Sequence, residues 1–261
     1  PMRRRGTRAP MKQDSEYWDG IAPQWTQEIF NTLRNDRNRV IRGELERAAH
    51  KATNIVDYGC GIGNYLPTLS RLFKTVHGFD HSIACVEMAR KRMHRKRNIS
   101  LQQATGIPRI HVAAFDAALC VNVAINPNRR SWHGVLRSVI SLLKPNGQLF
   151  LVVPSVESAT LLAKATQARP DVNVENGQPA SAPPSHAGIV SIEGVRTKHY
   201  SRAELTGTLT ELGLHVARVR RVEYSWKCQG VKPPRELRHE HPWDWLAVAK
   251  NIGAASKPKA A

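Results

Sequence analysis

Cysteine is scarce in this chain, and the little there is does not pair. Four cysteines, Cys60, Cys85, Cys120 and Cys228, are scattered over 261 residues without a C-x-x-C among them. That spacing argues against a structural zinc site and against a disulfide framework; no metal centre is expected. Small buried thiols in a reducing compartment are the simpler reading. Long apolar runs are missing as well. The longest, GQLFLVV, suits a buried strand and falls far short of the ~20 residues that span a bilayer. The N-terminal PMRRRGTRAPMK has no apolar stretch behind its charges, so no secretory signal is read there. A cytoplasmic protein is expected, with an organellar matrix as the alternative and no membrane partner. Acids are few: 21 Asp and Glu face 39 Lys and Arg, a net charge of +18. Such a surplus attracts polyanions and makes any nucleic-acid affinity salt-dependent. The cations cluster at Arg3–Arg5, at Arg34, Arg37, Arg39 and Arg42, in ARKRMHRKR at 89–97, and in RVRR at 218–221.

What is present is an alternation. An apolar share of 41% supports a sizeable core. Residues 1–13 form a basic arm without apolar periodicity, and 252–261 a similar tail. Between them, 14–251 read as a single domain. A helical cap at 14–50 carries Tyr17, Trp18 and Trp25. Strands are then expected at 54–57, 75–79, 99–103, 115–121 and 148–153, separated by helices at 65–73, 83–95 and 132–143. Ser82 is the N-cap candidate of the second helix. Strands separated by helices give βαβ units and a mainly parallel sheet, with helices on both faces. After Pro154 the regularity lapses. A helix at 157–167, a Pro- and Ser-rich loop and a hairpin turning at Glu193-Gly194 make 154–200 an expected lid. The core resumes with a helix at 202–212, a strand at 216–224 and a last strand in WDWLAVAK.

The informative stretch is NIVDYGCGIGNY, residues 54–65. Asp57, Gly59, Gly61 and Gly63 fall at alternate positions where a strand ends and a helix begins. Glycine there permits positive φ and removes the Cβ that would hold a ligand away. In a doubly wound sheet this turn lies at the carboxyl edge, where nucleotides bind. A P-loop would end in Gly-Lys-Ser/Thr, and GIGNY does not. The dinucleotide fingerprint G-x-G-x-x-G would need glycine at Asn64 or Leu66. An acid two residues ahead of the first glycine suits a cofactor with a positive group and no phosphate, such as S-adenosylmethionine. The next strand ends VHGFDHS, placing Asp80 seventeen residues beyond Gly63, where a carboxylate can accept both ribose hydroxyls.

With these residues the chain resembles the class I S-adenosylmethionine-dependent methyltransferases. IVDYGCGIGN is similar to the family's glycine motif and GFDHS to the end of its second strand. FDAALCVNVAI is similar to the fourth-strand motif, and LKPNGQLFLVVPS to the approach to the fifth. The resemblance implies a Rossmann-like, doubly wound seven-stranded α/β sheet, mostly parallel, with an antiparallel last strand. It implies S-adenosyl-L-methionine as cofactor, held by Asp57, Gly59, Cys60, Gly61, Gly63, Asp80, His81 and Asn122. The family's third strand usually ends in an acid for the adenine amino group; here Thr105 offers a neutral acceptor instead. His199 and Tyr200 resemble a position near the acceptor pocket in small-molecule methyltransferases, and so are catalytic candidates. Tyr17, Trp18 and Trp25 are candidates for closing the substrate pocket.

Three functions fit this pattern. The first is methyl transfer to oxygen or nitrogen of a small-molecule acceptor under the 154–200 lid. In that chemistry proximity and orientation supply most of the rate. The second is methylation of tRNA or rRNA, favoured by the charge and by GCGIGNYLP, which is similar to a stretch of wobble-uridine methyltransferases. The third is a catalytically silent fold kept as a binding or assembly factor, for which the missing adenine acid is the best support.

Overall fold

The computed structural model describes residues 15–24, 30–104, 112–168, 174–175, 178–179, 183–192 and 195–253. Eleven strands are found among them. Seven form one sheet: β1 (Asn54–Tyr58), β2 (Thr75–Asp80), β3 (Ile99–Gln103), β4 (Phe115–Val121), β5 (Leu143–Pro154), β10 (Leu214–Glu223) and β11 (Trp243–Asn251). Their order across the sheet is β10-β11-β5-β4-β1-β2-β3. The pairs from β5 to β3 are all parallel, while β11 runs antiparallel to both neighbours. The expected architecture is therefore the observed one. The remaining strands make two small pairs: β6 (Val174–Glu175) with β7 (Gln178–Pro179), and β8 (Ile189–Ile192) with β9 (Val195–Lys198).

The central strands read as continuous apolar runs because both sheet faces are covered. Along β5, Leu149, Leu151 and Val153 point into one layer with Leu136, Val139 and Leu142 of the helix Arg129–Leu142 and Leu205 and Leu209 of the helix Arg202–Glu211. Phe150 and Val152 point the other way, into a layer with Ile41 and Leu45 of the helix Val40–Ala49 and Leu66 and Leu69 of the helix Leu66–Leu72. Chain order reverses between β1 and β4, so a crevice opens at the carboxyl ends of those two strands.

Local chemistry sets the boundaries. Ser82 caps the helix Ile83–Met93 by accepting from the Cys85 amide, as its sequence position predicts. Asp19, from the helix Ser15–Ile21, accepts from the Ala84 amide and the Ser82 hydroxyl, which docks the N-terminal segment on that same helix end. The helix Arg129–Leu142 ends close to the expected 143, and Lys144-Pro145-Asn146-Gly147 makes an irregular lead-in to β5. Leu143 already pairs with Phe115, and the register shifts before Gln148 pairs with Ala117. Asn146 takes φ 68°, and a Cβ on Gly147 would lie 2.9 Å from the Lys144 carbonyl oxygen. The β8–β9 hairpin is tied down by the Lys198 amide to the Ile125 carbonyl (2.7 Å) and by a bridge between Ser155 and Tyr200. The turn at Glu193-Gly194 lies outside the described residues. No helix among the described residues is long and apolar enough to cross a membrane.

One buried charge is matched by three cations. Glu44 is 1% exposed and meets Arg47 at 2.8 Å, Arg218 at 2.9 Å and Arg220 at 3.1 Å, joining the helix Val40–Ala49 to β10. Burial opposes its ionisation, but the hydrogen bonds and charges of those arginines hold its pKa below the ordinary value. An acid with a depressed folded pKa stabilises above its unfolded pKa and loses that contribution as pH falls through the folded one. Glu44→Gln is expected to cost about 1–3 kcal/mol at neutral pH. Urea unfolding measures this, and the difference from wild type should shrink as pH falls below 4.5.

Candidate active site

β1 ends in a turn that three glycines make possible. Gly59, Gly61 and Gly63 have φ of 76°, 52° and 84°, a region that side chains disfavour. The Gly59 and Cys60 amides both donate to the Phe79 carbonyl, at 2.7 and 2.9 Å, lashing the turn to β2. Asp80, at the tip of β2, then organises the next bend. Its Oδ2 accepts from the Gly61 amide (2.7 Å) and its Oδ1 from the Ser82 amide (2.9 Å). A Cβ on Gly59 would lie 2.3 Å from Val123 Cγ2, and one on Gly63 would lie 2.8 Å from Leu66 Cδ1. At these two positions the bare backbone lets the protein's own side chains approach, which the sequence reading ascribed to a ligand. Cys60 is buried, with its sulfur against Gly78, and burial pushes its thiol well above the usual range.

Asp57 lies beneath this turn, 2% exposed, and its Oδ2 has no hydrogen-bond partner. Burial, and then the neighbouring charge of Asp80, raise its pKa to about 8. Burial also raises Asp80, against its two amide bonds and the His81 ring 3.7 Å away. An unpaired buried carboxylate is costly. Among the described residues no Lys or Arg pairs with either acid. A ligand that brings a positive group, tolerates close backbone and offers hydroxyls to Asp80 fits this donor set.

A third acid was not legible as a site residue. Asp244 opens β11 opposite Pro154 of β5, so the antiparallel strand brings it to the same carboxyl edge. Its Oδ2 accepts from the Tyr224 hydroxyl at 2.7 Å and from Asn122 Nδ2 at 3.4 Å. Burial raises its pKa to about 6. Asn122 follows β4 with φ 54°, also donates to Thr32 Oγ1 (3.4 Å), and has a buried Oδ1 without a partner. Tyr65 joins the two acids: the charges of Asp57, Asp244 and Asp36, after burial, keep its hydroxyl well above the usual range. An acid between two tryptophans in an apolar strand was the available signal.

The other expected residues scatter. His199 is buried, its ring between Thr197 Oγ1 (3.1 Å) and the Ser155 carbonyl (3.3 Å). Tyr200 is fully buried and donates its hydroxyl to the Ala124 carbonyl at 2.6 Å, with Trp132 edge-on to its ring. It braces the loop after β4 from within the core. Tyr17 and Trp18 stack edge-to-face near the head of the helix Ile83–Met93, on the Asp80 side of the crevice and not beside Asn122. Trp25 and Thr105 lie outside the described residues.

A sheet of this order, with a glycine turn and an acid at each of its first two strand tips, defines a nucleoside-cofactor domain of Rossmann-like type. Residues 33–219, well over half of the chain, match a family described as a methyltransferase domain, and the chain belongs to that family. Among curated proteins it is 27% identical over 143 residues to a ubiquinone biosynthesis O-methyltransferase of Xanthomonas axonopodis pv. citri. That match covers 52% of this chain and 55% of the relative, so the chain spans about half the length of the curated relatives it matches. Among solved structures, the 1,6-didemethyltoxoflavin-N1-methyltransferase of Burkholderia thailandensis, bound to S-adenosylhomocysteine, superposes with a TM-score of 0.60 at 14% identity, covering 95% of this chain and 94% of that one. A Pyrococcus horikoshii protein gives 0.63 at 16%, covering 90% and 98%. At these identities the superpositions establish the fold.

With its pKa about 8, Asp57 is mostly protonated in the free protein at pH 7. Pairing with an ammonium group requires the ionised form, so cofactor binding at pH 7 should release up to one proton. Calorimetry with S-adenosylhomocysteine in buffers of different ionisation enthalpy reads this directly. Affinity should rise between pH 6 and 8.

Proposed function

We propose that this chain transfers a methyl group from S-adenosylmethionine to an O–H or N–H group of a small-molecule acceptor. The observation that carries the reading is the buried Asp57 carboxyl with an oxygen that no protein group satisfies, directly under the glycine turn. Asp57 would hold the cofactor's ammonium group. Asp80 spends one lone pair of each oxygen on an amide and keeps the others for ribose hydroxyls. The backbone at Gly61 and Cys60 would border the cofactor, with His81 on its adenosine side and Asn122 on its methionyl side. When bound, the cofactor supplies a methyl carbon already activated by the sulfonium. What the protein then contributes is position, together with exclusion of water. Tyr17 and Trp18 would cover the adenosine end. We favour oxygen as the acceptor atom because the curated relatives are O-methyltransferases.

Calorimetry with S-adenosylhomocysteine tests the cofactor assignment. Wild type is expected to bind more tightly than about 100 μM, roughly −5.5 kcal/mol. Asp57→Asn is expected to weaken binding by about tenfold or more. No detectable binding by the wild type would sink the proposal.

A second reading has its own observation. Arg90, Lys91, Arg92, Arg95, Lys96 and Arg97 are all exposed, and no ion pair is found for any of them among the described residues. Arg92 also reaches the glycine turn, donating to the Ile62 carbonyl (2.8 Å) and Asn64 Oδ1 (3.1 Å). An RNA backbone could follow that tract toward the site. Incubating enzyme with methyl-labelled cofactor and a cell extract separates the two readings. Label in a small-molecule fraction supports the first, and label in RNA, with a salt-dependent gel shift, supports the second.

A further inference from the structure

The layer of core beneath the helix Val40–Ala49 is apolar along its length and polar at one end. On β11, Leu246 and Val248 lie in that layer, and side-chain alternation carries Asp244 to the same face. Val222 and Tyr224 follow the same rule on β10, and Ile55 and Asp57 on β1. Three adjacent strand steps separate Asp57 from Asp244, through β4 and β5, or about 14 Å of sheet edge. Asn122 lies between them at the end of β4.

A cationic nucleoside accounts for Asp57 and Asp80 but leaves Asp244 without a task. Tyr224 and Asn122 fix Oδ2 of Asp244. Oδ1 takes no hydrogen bond from a described residue, and the residue is half-buried. Tyr224 itself is held in place, its ring edge-on to Phe30 (4.8 Å) and its amide donating to the Pro242 carbonyl (2.8 Å). Asp244 thus has one oxygen held by Tyr224 and Asn122 and a second, at the same carboxyl edge, with no hydrogen bond from a described residue.

We infer that Asp244, positioned by Tyr224 and Asn122, is the acceptor-side acid of the site: its Oδ1 receives a cationic or proton-bearing group of the acceptor and takes that proton during transfer. The balance is simple. The acceptor's O–H or N–H bond breaks, its proton goes to Asp244, and its electron pair forms the new bond to carbon. The electron pair of the broken carbon–sulfur bond returns to sulfur and cancels the sulfonium charge. A pocket lined in this way selects neutral or cationic acceptor groups and disfavours a carboxylate or phosphate beside the transferred methyl.

The inference rests on the cofactor reading above, and two cofactor analogues keep the two apart. S-adenosylhomocysteine has a neutral thioether, whereas sinefungin carries an ammonium where the transferred methyl would be. Calorimetry on wild type should show sinefungin preferred by about tenfold or more. Asp244→Asn should abolish that preference while S-adenosylhomocysteine affinity stays within about twofold. Tyr224→Phe, which keeps the ring, should reduce the preference to about threefold. If Asp244→Asn keeps the wild-type preference, or loses both ligands equally in a folded protein, the assignment of Asp244 is overturned and the cofactor site stands. Wild type that binds neither analogue overturns both readings. Should circular dichroism show Asp244→Asn unfolded, Tyr224→Phe decides, and an unchanged preference overturns the role.

Discussion

Carboxyl groups gathered at the carboxyl edge of the sheet with few protein partners are the constraint around which this structure is arranged. Asp57, Asp80 and Asp244 are brought together by three different strands, and no basic side chain among the described residues pairs with the first or the last. Water is largely withdrawn from them and the protein supplies neutral donors: two amides for Asp80, a phenol and a carboxamide for Asp244. Elsewhere the same chain neutralises a buried acid fully, surrounding Glu44 with three arginines.

The fold makes this arrangement affordable by keeping the acids apart in sequence and close in space. Parallel order delivers Asp57 and Asp80 from adjacent strand tips, and the reversal of β11 delivers Asp244 from the beginning of a strand. The crevice walls are then fixed by the loop after β4. Val123 closes on Gly59, Tyr200 holds the Ala124 carbonyl, and Lys198 holds the Ile125 carbonyl. Through those bonds Lys198 and Tyr200 are coupled to the loop that carries Asn122.

Fold and cofactor turn were legible in the sequence because each leaves a periodic or local mark. Strands alternating with helices identified the parallel sheet, and Asp57, three glycines and Asp80 at a fixed spacing identified the turn. The acceptor side left no such mark. Asp244 stands between Trp243 and Trp245, both buried, and the tryptophans read as packing, which they are. Its significance depends on strand direction and on partners 20 and 122 residues away. Tyr200 shows the opposite failure: a chemically able group, picked out by its place before a helix, proves to be a brace because its hydroxyl is already committed within the core. Gly59 and Gly63 were read correctly as obligatory, while the bodies that approach them are Val123 and Leu66.

The charge of +18 then takes on a different meaning from the one composition first suggests. One exposed cluster of cations lies in the last turn of the helix Ile83–Met93 and just after it, while the carboxyl edge carries acids. Long-range field and local field therefore have opposite signs. A polyanion can gather on the outer tract, screened by salt over about 8–10 Å, yet its phosphates are repelled from the place where chemistry would occur. Only a neutral or cationic part of any molecule can enter. That condition holds for a small phenol or amine and for a base extruded from RNA, so the acceptor is constrained by the crevice before it is constrained by the surface. The basic exterior sets how often a partner arrives, and the carboxylates set which atom of it can be methylated.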